Sequence, residues 1–169
     1  MKLISGGQSG IDRAVLDIAI DGGIPYGGWC PKGGWAEDFP EPPGLLARYP
    51  LLQETPKADP AQRTEWNVRD ADACMIVVEA KGIAVSKGTV LAEDLAHRHR
   101  KPLLVAILGE STAEHARLWL RVQNARHGNA GHDNTGHGDG LKLAIGGPRE
   151  SEAPGIYTRA AEFLRALLR

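Results

Sequence analysis

The chain has 169 residues, of which 42% are hydrophobic, so it is long and apolar enough for one globular domain with a sizeable core. Its formal net charge of -1 gives no basic footprint for nucleic acid or an anionic membrane, and any anion site must therefore be local. Two cysteines, Cys30 and Cys74, are too few for a disulfide framework, and with no signal peptide and no apolar run of membrane-spanning length we expect a cytoplasmic protein.

The first predicted element is a strand over residues 3–4 that runs at once into a glycine turn and a helix. Apolar residues at i, i+4, i+7 and i+8 give this helix one buried stripe, formed by Ile11, Val15, Ile18 and Ala19. Ser9 and Asp12 stand three apart, as in a capping box. A turn followed by a helix N-terminus favours an anion, so we predict ligand contacts at Gly6, Gly7, Gln8, Ser9 and Gly10. The alternative is a turn that needed glycine and binds nothing.

A long loop follows the second predicted strand, which covers residues 26–30. Residues 31–50 hold five prolines and three glycines, a density that excludes extended regular structure. Such a loop is either a ligand-covering lid or an ordinary surface crossing. Lys32 and Trp35 are its candidate ligand contacts, and it also carries Glu37 and Asp38.

Strands and helices alternate through the rest of the chain. Asp59, Pro60 and Gln62 predict the start of a helix that runs to about residue 70, ahead of a fully apolar strand at 73–78. A second glycine-containing turn opens the next helix, whose buried face is predicted as Val90, Leu91, Leu95 and Ala96. A strand at 103–108 and a helix at 112–125 follow, the latter with Ser111 and Glu114 as a capping box.

The last part of the chain adds a strand at 141–145, a third glycine turn and a final helix that starts at Pro154. This order predicts an α/β fold with a mainly parallel sheet. Ligands of such sheets bind beyond the carboxyl ends of the strands, where all three turns would meet. The second and third turns add the candidate contacts Ser86, Lys87, Gly88, Thr89, Gly147, Pro148, Arg149, Glu150 and Ser151.

Four sequence blocks resemble the molybdenum carrier proteins, a family similar to the molybdenum-cofactor carrier of green algae. The blocks are ISGGQSGIDR at 4–13, GWCPKG at 28–33, RTEWNVRD at 63–70 and GPRESEAPGIY at 147–157. The resemblance implies one Rossmann-like, doubly wound domain over residues 1–169, with helices on both faces of the sheet. It implies molybdenum cofactor as the ligand, and it adds Arg63 and Asn67 to the candidate contacts.

The wider superfamily also contains the lysine-decarboxylase-like nucleoside-monophosphate phosphoribohydrolases. Arg63 stands at the spacing of their catalytic arginine, but their glutamate three residues after the threonine is Ala92 here. The nearest carboxylate, Glu93, lies one residue further along, and one residue rotates a helix position by about 100°. Glu93 is therefore predicted to point away from the ligand. The chain also departs from its family at Lys87 and Gly34, and by a Gly/His-rich insertion at 127–140.

The remaining candidates concern metals, aromatic stacking and assembly. His127, His132 and His137, with Asp133 and Asp139, suit zinc or copper, but their spacing matches no zinc motif and an ordinary flexible loop is the preferred interpretation. Trp35 is the better stacking candidate, whereas Trp66 is expected in the core. Related folds form dimers or tetramers, so a homo-oligomer is expected by analogy.

Together these features predict a carrier or storage protein that binds a phosphorylated heterocycle, with no catalytic residues and no resident metal. Two alternatives stay open. One is a nucleoside-monophosphate phosphoribohydrolase-like enzyme that uses Arg63 with Glu93 or another carboxylate. The other is a nucleotide-sensing module.

Overall fold

Six parallel strands form one sheet in this computed structural model, which describes residues 1–110, 113–130 and 140–169. The strands are β1 Lys2–Ile4, β2 Tyr26–Cys30, β3 Leu52–Glu54, β4 Ala73–Val78, β5 Leu103–Ile107 and β6 Lys142–Gly146. The helices are α1 Ile11–Asp21, α2 Pro60–Asp70, α3 Lys87–Arg98, α4 Ala113–Ala130 and α5 Ile156–Leu168. The predicted α/β class with a parallel sheet is confirmed.

Helices cover both faces of the sheet, as the period-2 alternation of strand side chains requires. Along β1, Leu3 packs into the larger core cluster with residues of α1, α4 and α5, while Ile4 packs into a second cluster with residues of α2 and α3. Leu143 and Ala144 of β6 divide between the two clusters in the same way. The doubly wound arrangement is therefore present.

The predicted helix stripes agree with the burial of α1 and α5 but not fully with that of α3. All four residues of the α1 stripe are buried, and so are Ile156, Ala160, Phe163, Leu164 and Leu167 of α5. On α3, Leu95 and Ala96 are buried, whereas Val90, in the first turns of the helix, is 37% exposed. Helix α5 begins at Ile156, two residues after the predicted start.

The strand order β3-β2-β1-β6-β4-β5 places the last strand of the chain in the middle of the sheet. β6 pairs with β1 on one side and with β4 on the other. If the β6-α5 unit stood at the front of the chain, the order would read 4-3-2-1-5-6, which reverses beside strand 1 as the doubly wound order 3-2-1-4-5-6 does. The point where the sheet order reverses therefore lies at the carboxyl end of β6.

Residues 31–50 contain no extended regular structure, as predicted, but they pack closely against the rest of the chain. A single-turn 3-10 helix covers Gly44–Ala47, and Ala36 forms an isolated antiparallel bridge with Phe39. Ala36, Leu45 and Tyr49 are fully buried in a third apolar cluster, which also contains Leu16, Cys30 and Leu52.

Helix α4 is longer than predicted. It continues to Ala130 and so includes the first residues of the expected insertion at 127–140. Ser111 and the expected metal ligands His132, Asp133, His137 and Asp139 lie outside the described residues. In the part of the chain that the structure describes, no helix combines the length and apolarity that a bilayer crossing needs.

Candidate functional site

A pocket of about 370 Å³ lies at the carboxyl end of β6, where the order of the sheet reverses. Gly146 ends β6 and Gly147 follows it, and both glycines line the pocket floor. The first turns of α2 and α3 border opposite sides. The pocket brings together nine predicted contacts, which are Gln8, Trp35, Arg63, Ser86, Lys87, Gly88, Thr89, Gly147 and Arg149.

The N-terminus of α3 supplies the polar end of the pocket. Ser86 is the N-cap residue, and its Oγ accepts a hydrogen bond from the Thr89 amide at 3.3 Å. Thr89 is 2% exposed, and its Oγ1 has no hydrogen-bond partner among the described residues. A buried hydroxyl without a partner is costly, and a ligand atom in the pocket would satisfy it. The exposed residues Lys87 and Gly88 add a cation and a helix-terminal amide.

Asp12 and Arg63 form a buried ion pair at the pocket wall. Asp12 Oδ2 lies 2.8 Å from Arg63 Nη1, and their side chains are 5% and 17% exposed. Burial raises the pKa of Asp12, although the Arg63 guanidinium opposes that shift. Gly6 lies directly beneath the pair, because a Cβ there would overlap the guanidinium.

The predicted capping box at α1 is wrong. The N-cap residue is Gly10, with φ of +74°, and none of the side chains that the structure describes caps this helix. The Ile11 amide instead donates to the carbonyl of Pro148 at 3.3 Å. Ser9 and Asp12 have other partners, because side chains distant in sequence reach both of them.

Ser9 and Ser151 bind the carboxylate of Glu37, which comes from the 31–50 segment. Ser9 Oγ donates to Glu37 Oε1, the Ser151 amide donates to the same oxygen at 3.2 Å, and Ser151 Oγ donates to Oε2 at 2.6 Å. Ser9 Oγ also accepts the Glu150 amide at 3.0 Å. Partial burial opposes ionisation, but the bonds from Ser151 and Ser9 outweigh it and lower the pKa of Glu37. In this structure the chain's own carboxylate thus occupies part of the predicted anion site.

Gln8 and Arg149 connect this carboxylate to the pocket. Gln8 lines the pocket, and its Oε1 accepts the amides of Ser9 at 3.0 Å and Glu37 at 2.9 Å. Arg149 also lines the pocket, with its Nε 3.3 Å from Glu152 and 3.8 Å from Glu37. Trp35, which precedes Glu37 by two residues, also lines the pocket.

A second ion pair anchors the segment. Arg13 donates to both carboxylate oxygens of Asp38, at 2.7 Å and 2.9 Å, and to the carbonyl of Gly7 at 3.1 Å. Its guanidinium also lies over the rings of Phe39 and Tyr49, with centroid distances of 4.8 Å and 5.4 Å. The sequence predicts no role for Arg13, because its partner Asp38 stands 25 residues away in a loop.

The other predicted contacts do not line the pocket, and some of them have structural roles. Gly7, with φ of +71°, faces Leu16, Leu45 and Leu52 in the third apolar cluster. Asn67 binds both backbone groups of Trp29, accepting the amide at 2.7 Å and donating to the carbonyl at 2.9 Å. The others outside the lining are Gly6, Ser9, Gly10, Lys32, Pro148, Glu150 and Ser151.

The pocket also contains residues that the sequence analysis did not assign to it, among them Asp12, Thr64 and Glu152. Their spacing carried no signal, since α1, α2 and the last turn are far apart in the sequence and come together only in the folded chain. Of the helix α3 residues that the structure describes, Leu91 and Ala92 line the pocket but Glu93 does not, in agreement with the predicted rotation.

Trp35 is the tryptophan at the pocket. Trp66 is half-buried and not in the core, because its ring packs edge-on against Trp29, with centroids 4.7 Å apart, and beneath the Arg69 guanidinium. Both cysteine thiols are buried, and burial raises the pKa of each to about 11, so they are neutral at pH 7. The described residues contain no group of three His, Cys, Asp or Glu side chains that could hold a metal ion.

Two comparisons with known proteins give a match. The model of the circularly permutated YpsA SLOG family matches residues 3–168. A crystal structure from Syntrophus aciditrophicus SB, named "Putative molybdenum carrier protein", is 37% identical, with a TM-score of 0.79 over 99% of this chain and 94% of that chain. A comparison with curated proteins gives no match. Both matches confirm the resemblance carried by the four sequence blocks, and the central position of β6 agrees with a permuted chain.

Proposed function

The chain belongs to the circularly permutated YpsA SLOG family, and we propose that it binds and carries a phosphorylated heterocycle in the pocket at the carboxyl end of β6. The observation that carries this proposal is the buried Thr89 hydroxyl, which has no partner among the described residues and stands at the N-terminus of α3. A helix N-terminus, a buried donor and the adjacent Lys87 cation form the chemistry that holds a phosphate.

The heterocycle would lie against Trp35. The indole lines the pocket, and its backbone is fixed by the contacts of Glu37 with Gln8 and Ser151. A volume of about 370 Å³ is near the lower end of the roughly 300–1,000 Å³ range of ligand sites, which suits one ring system with one phosphate.

Molybdenum cofactor, a pterin with a terminal phosphate, is the ligand that we favour. The support is the molybdenum carrier name of the structural neighbour, together with a pocket that offers a phosphate end and a stacking end. The protein would hold this cargo through its phosphate and its ring. Protein ligation of the metal has no support among the described side chains, since the two thiols are neutral and no metal-ligand cluster is formed.

Mass spectrometry of small molecules that co-purify with the native protein tests the identity of the cargo. Guanosine monophosphate then serves as a defined probe of the pocket in calorimetric titrations. Thr89→Val and Lys87→Ala should each weaken its binding, by about tenfold or more for a bond to a charged group, whereas Lys81→Ala, an exposed lysine outside the pocket, should not. Equal affinity for guanosine monophosphate in the wild type and all three variants would contradict the proposal.

A nucleoside-monophosphate hydrolase is the second candidate, because Asp12 provides a pocket carboxylate beside Arg63. The ion pairs argue against it, since both carboxylates that line the pocket have cationic partners: Asp12 pairs with Arg63, and Glu152 pairs with Arg149 at 3.3 Å. Incubation with a panel of nucleoside monophosphates and chromatography for free base decides between carrier and enzyme. Turnover near a typical enzyme rate of about 10 per second would favour hydrolysis. A nucleotide-sensing role would give binding without turnover and without molybdenum cofactor among the co-purifying molecules.

A further inference from the structure

The contacts of Glu37 have the chemistry of an oxyanion site. Three donors converge on its carboxylate, namely Ser9 Oγ, the Ser151 amide and Ser151 Oγ, and the Arg149 guanidinium lies 3.8 Å away. Ser9 is 7% exposed and supplies the inner donor, whereas Ser151, which supplies the other two donors, is exposed at the mouth of the site. Hydroxyl, amide and guanidinium donors aimed at one point are typical of sites for phosphate and related oxyanions.

We infer that this donor set, the Ser9–Ser151 slot, is an oxyanion site that the Glu37 carboxylate occupies from within, and that an exogenous tetrahedral oxyanion competes with Glu37 for it. The slot borders a groove of about 660 Å³ outside the β6 pocket, through which an anion can reach it from solvent. The other charged residues of this groove are Arg13, Arg48, Asp17, Asp38 and Glu150. The oxyanion is either a free inorganic ion or a group of the ligand bound in the adjacent pocket, since Arg149 borders both.

Displacement of Glu37 would remove one side-chain anchor of the segment that carries Trp35, while the Arg13–Asp38 pair still holds the segment. The amide of Glu37 donates to Gln8 at 2.9 Å, so this bond ties the segment to the first turn. We expect the segment to loosen around Glu37 once the carboxylate leaves the slot. The inference therefore deepens the proposed function, since it links anion binding at the slot to the position of the stacking residue, and it rests on that function for its purpose.

Titration with inorganic phosphate at constant ionic strength tests the competition. When a group of the protein occupies a site, the apparent affinity of a competitor equals its intrinsic affinity multiplied by the fraction of time that the site is empty. Glu37→Ala should therefore bind phosphate about ten- to hundredfold more tightly than wild type. Glu41→Ala, which removes the same charge from an exposed position of the same segment, should bind as wild type does. No gain in Glu37→Ala, or an equal gain in Glu41→Ala, would overturn the inference.

Two double variants locate the phosphate. Ser151→Ala in the Glu37→Ala background should lose most of the gain, whereas Lys87→Ala in that background should keep it. If Lys87→Ala abolishes the gain, phosphate is binding at α3, which refutes the slot but leaves the proposed function intact. Conversely, a wild-type affinity for guanosine monophosphate in Lys87→Ala and Thr89→Val would refute the proposed pocket while the slot result stands.

Hydrogen exchange of the wild-type protein gives a test that needs no variant. Saturating phosphate should speed the exchange of the Glu37 amide, which donates to Gln8, relative to chloride at the same ionic strength. Molybdate, another tetrahedral oxyanion, should act in the same way. Unchanged exchange of this amide with the slot saturated would refute the loosening of the segment, whatever the folding of the Glu37 variants.

Discussion

Asp12 and Arg63 stand 51 residues apart in the chain, yet their side chains meet at 2.8 Å above Gly6, in the wall of the pocket. Their ion pair joins α1 to α2 across the carboxyl edge of the sheet. Removing one member leaves an uncompensated charge in a buried place, which costs far more than the pair contributes.

Arg63→Met should therefore lower the free energy of unfolding by about 3–5 kcal/mol. Asp12→Asn with Arg63→Met should recover much of this loss, because no unpaired charge remains. Arg69→Met is the matched control: the side chains of Arg69 and Asp70 are 45% and 39% exposed, and such pairs contribute about 0–1 kcal/mol. Urea unfolding measures all three, and a loss below 1 kcal/mol for Arg63→Met would contradict a buried pair.

Gly7→Val should destabilise the fold and not merely block a ligand. A Cβ at Gly7 would lie 3.0 Å from side-chain carbons of Leu45 and Leu52, and φ there is +71°. Backbone strain and overpacking together should lower the free energy of unfolding by about 2–4 kcal/mol. Gly128 lies in helix α4 with open space around it, so Gly128→Ala should instead raise the free energy of unfolding by about 0.5–1 kcal/mol. Thermal melting separates the two, and equal melting temperatures would show that Gly7 is replaceable.

The stabilising effect of Glu37 should depend on pH. Its pKa is lowered on folding below the ordinary value of 4.5, so its contribution is complete at neutral pH. The difference in unfolding free energy between wild type and Glu37→Gln should stay constant above about pH 5.5, shrink below 4.5 and vanish as the pH falls through the folded pKa. Glu41→Gln is the charge-matched control. A difference that grows on acidification would have the wrong sign for this carboxylate.

Trp35→Ala should weaken the binding of guanosine monophosphate, since stacking of a base on an aromatic ring contributes about 1–3 kcal/mol. Trp66→Ala should leave the affinity unchanged, because its ring packs against Trp29 and lies outside the pocket lining of the described structure. Calorimetry gives both affinities. A loss in Trp66→Ala equal to that in Trp35→Ala would mean that the ring binds elsewhere.

Local patterns predicted the parts of this fold that local physics controls. Helical periodicity predicted the buried stripe of α1, and a continuous apolar run predicted the fully buried strand β4. Glu93 was excluded from the pocket by helix geometry alone, and the structure agrees.

The misassigned residues are those whose partners arrive from distant parts of the chain. Ser9 and Asp12 have the spacing of a cap, but Glu37 and Arg63 compete for them from 28 and 51 residues away. Gly7 has the signature of a phosphate turn, yet its open side is filled by Leu45 and Leu52. Which glycine turn stays open to a ligand is decided by the packing of the 31–50 segment, and no short-range pattern encodes that packing.

The central place of β6 has a consequence for how the protein is made. The ribosome synthesises β1 and β4 well before β6, but neither strand has its inner neighbour until β6 emerges. Until then β1–β3 and β4–β5 are two half-sheets with exposed inner edges, and such edges invite aggregation. We therefore expect nascent chains that stop before residue 142 to depend on chaperones, and folding to become cooperative once the last strand joins the halves.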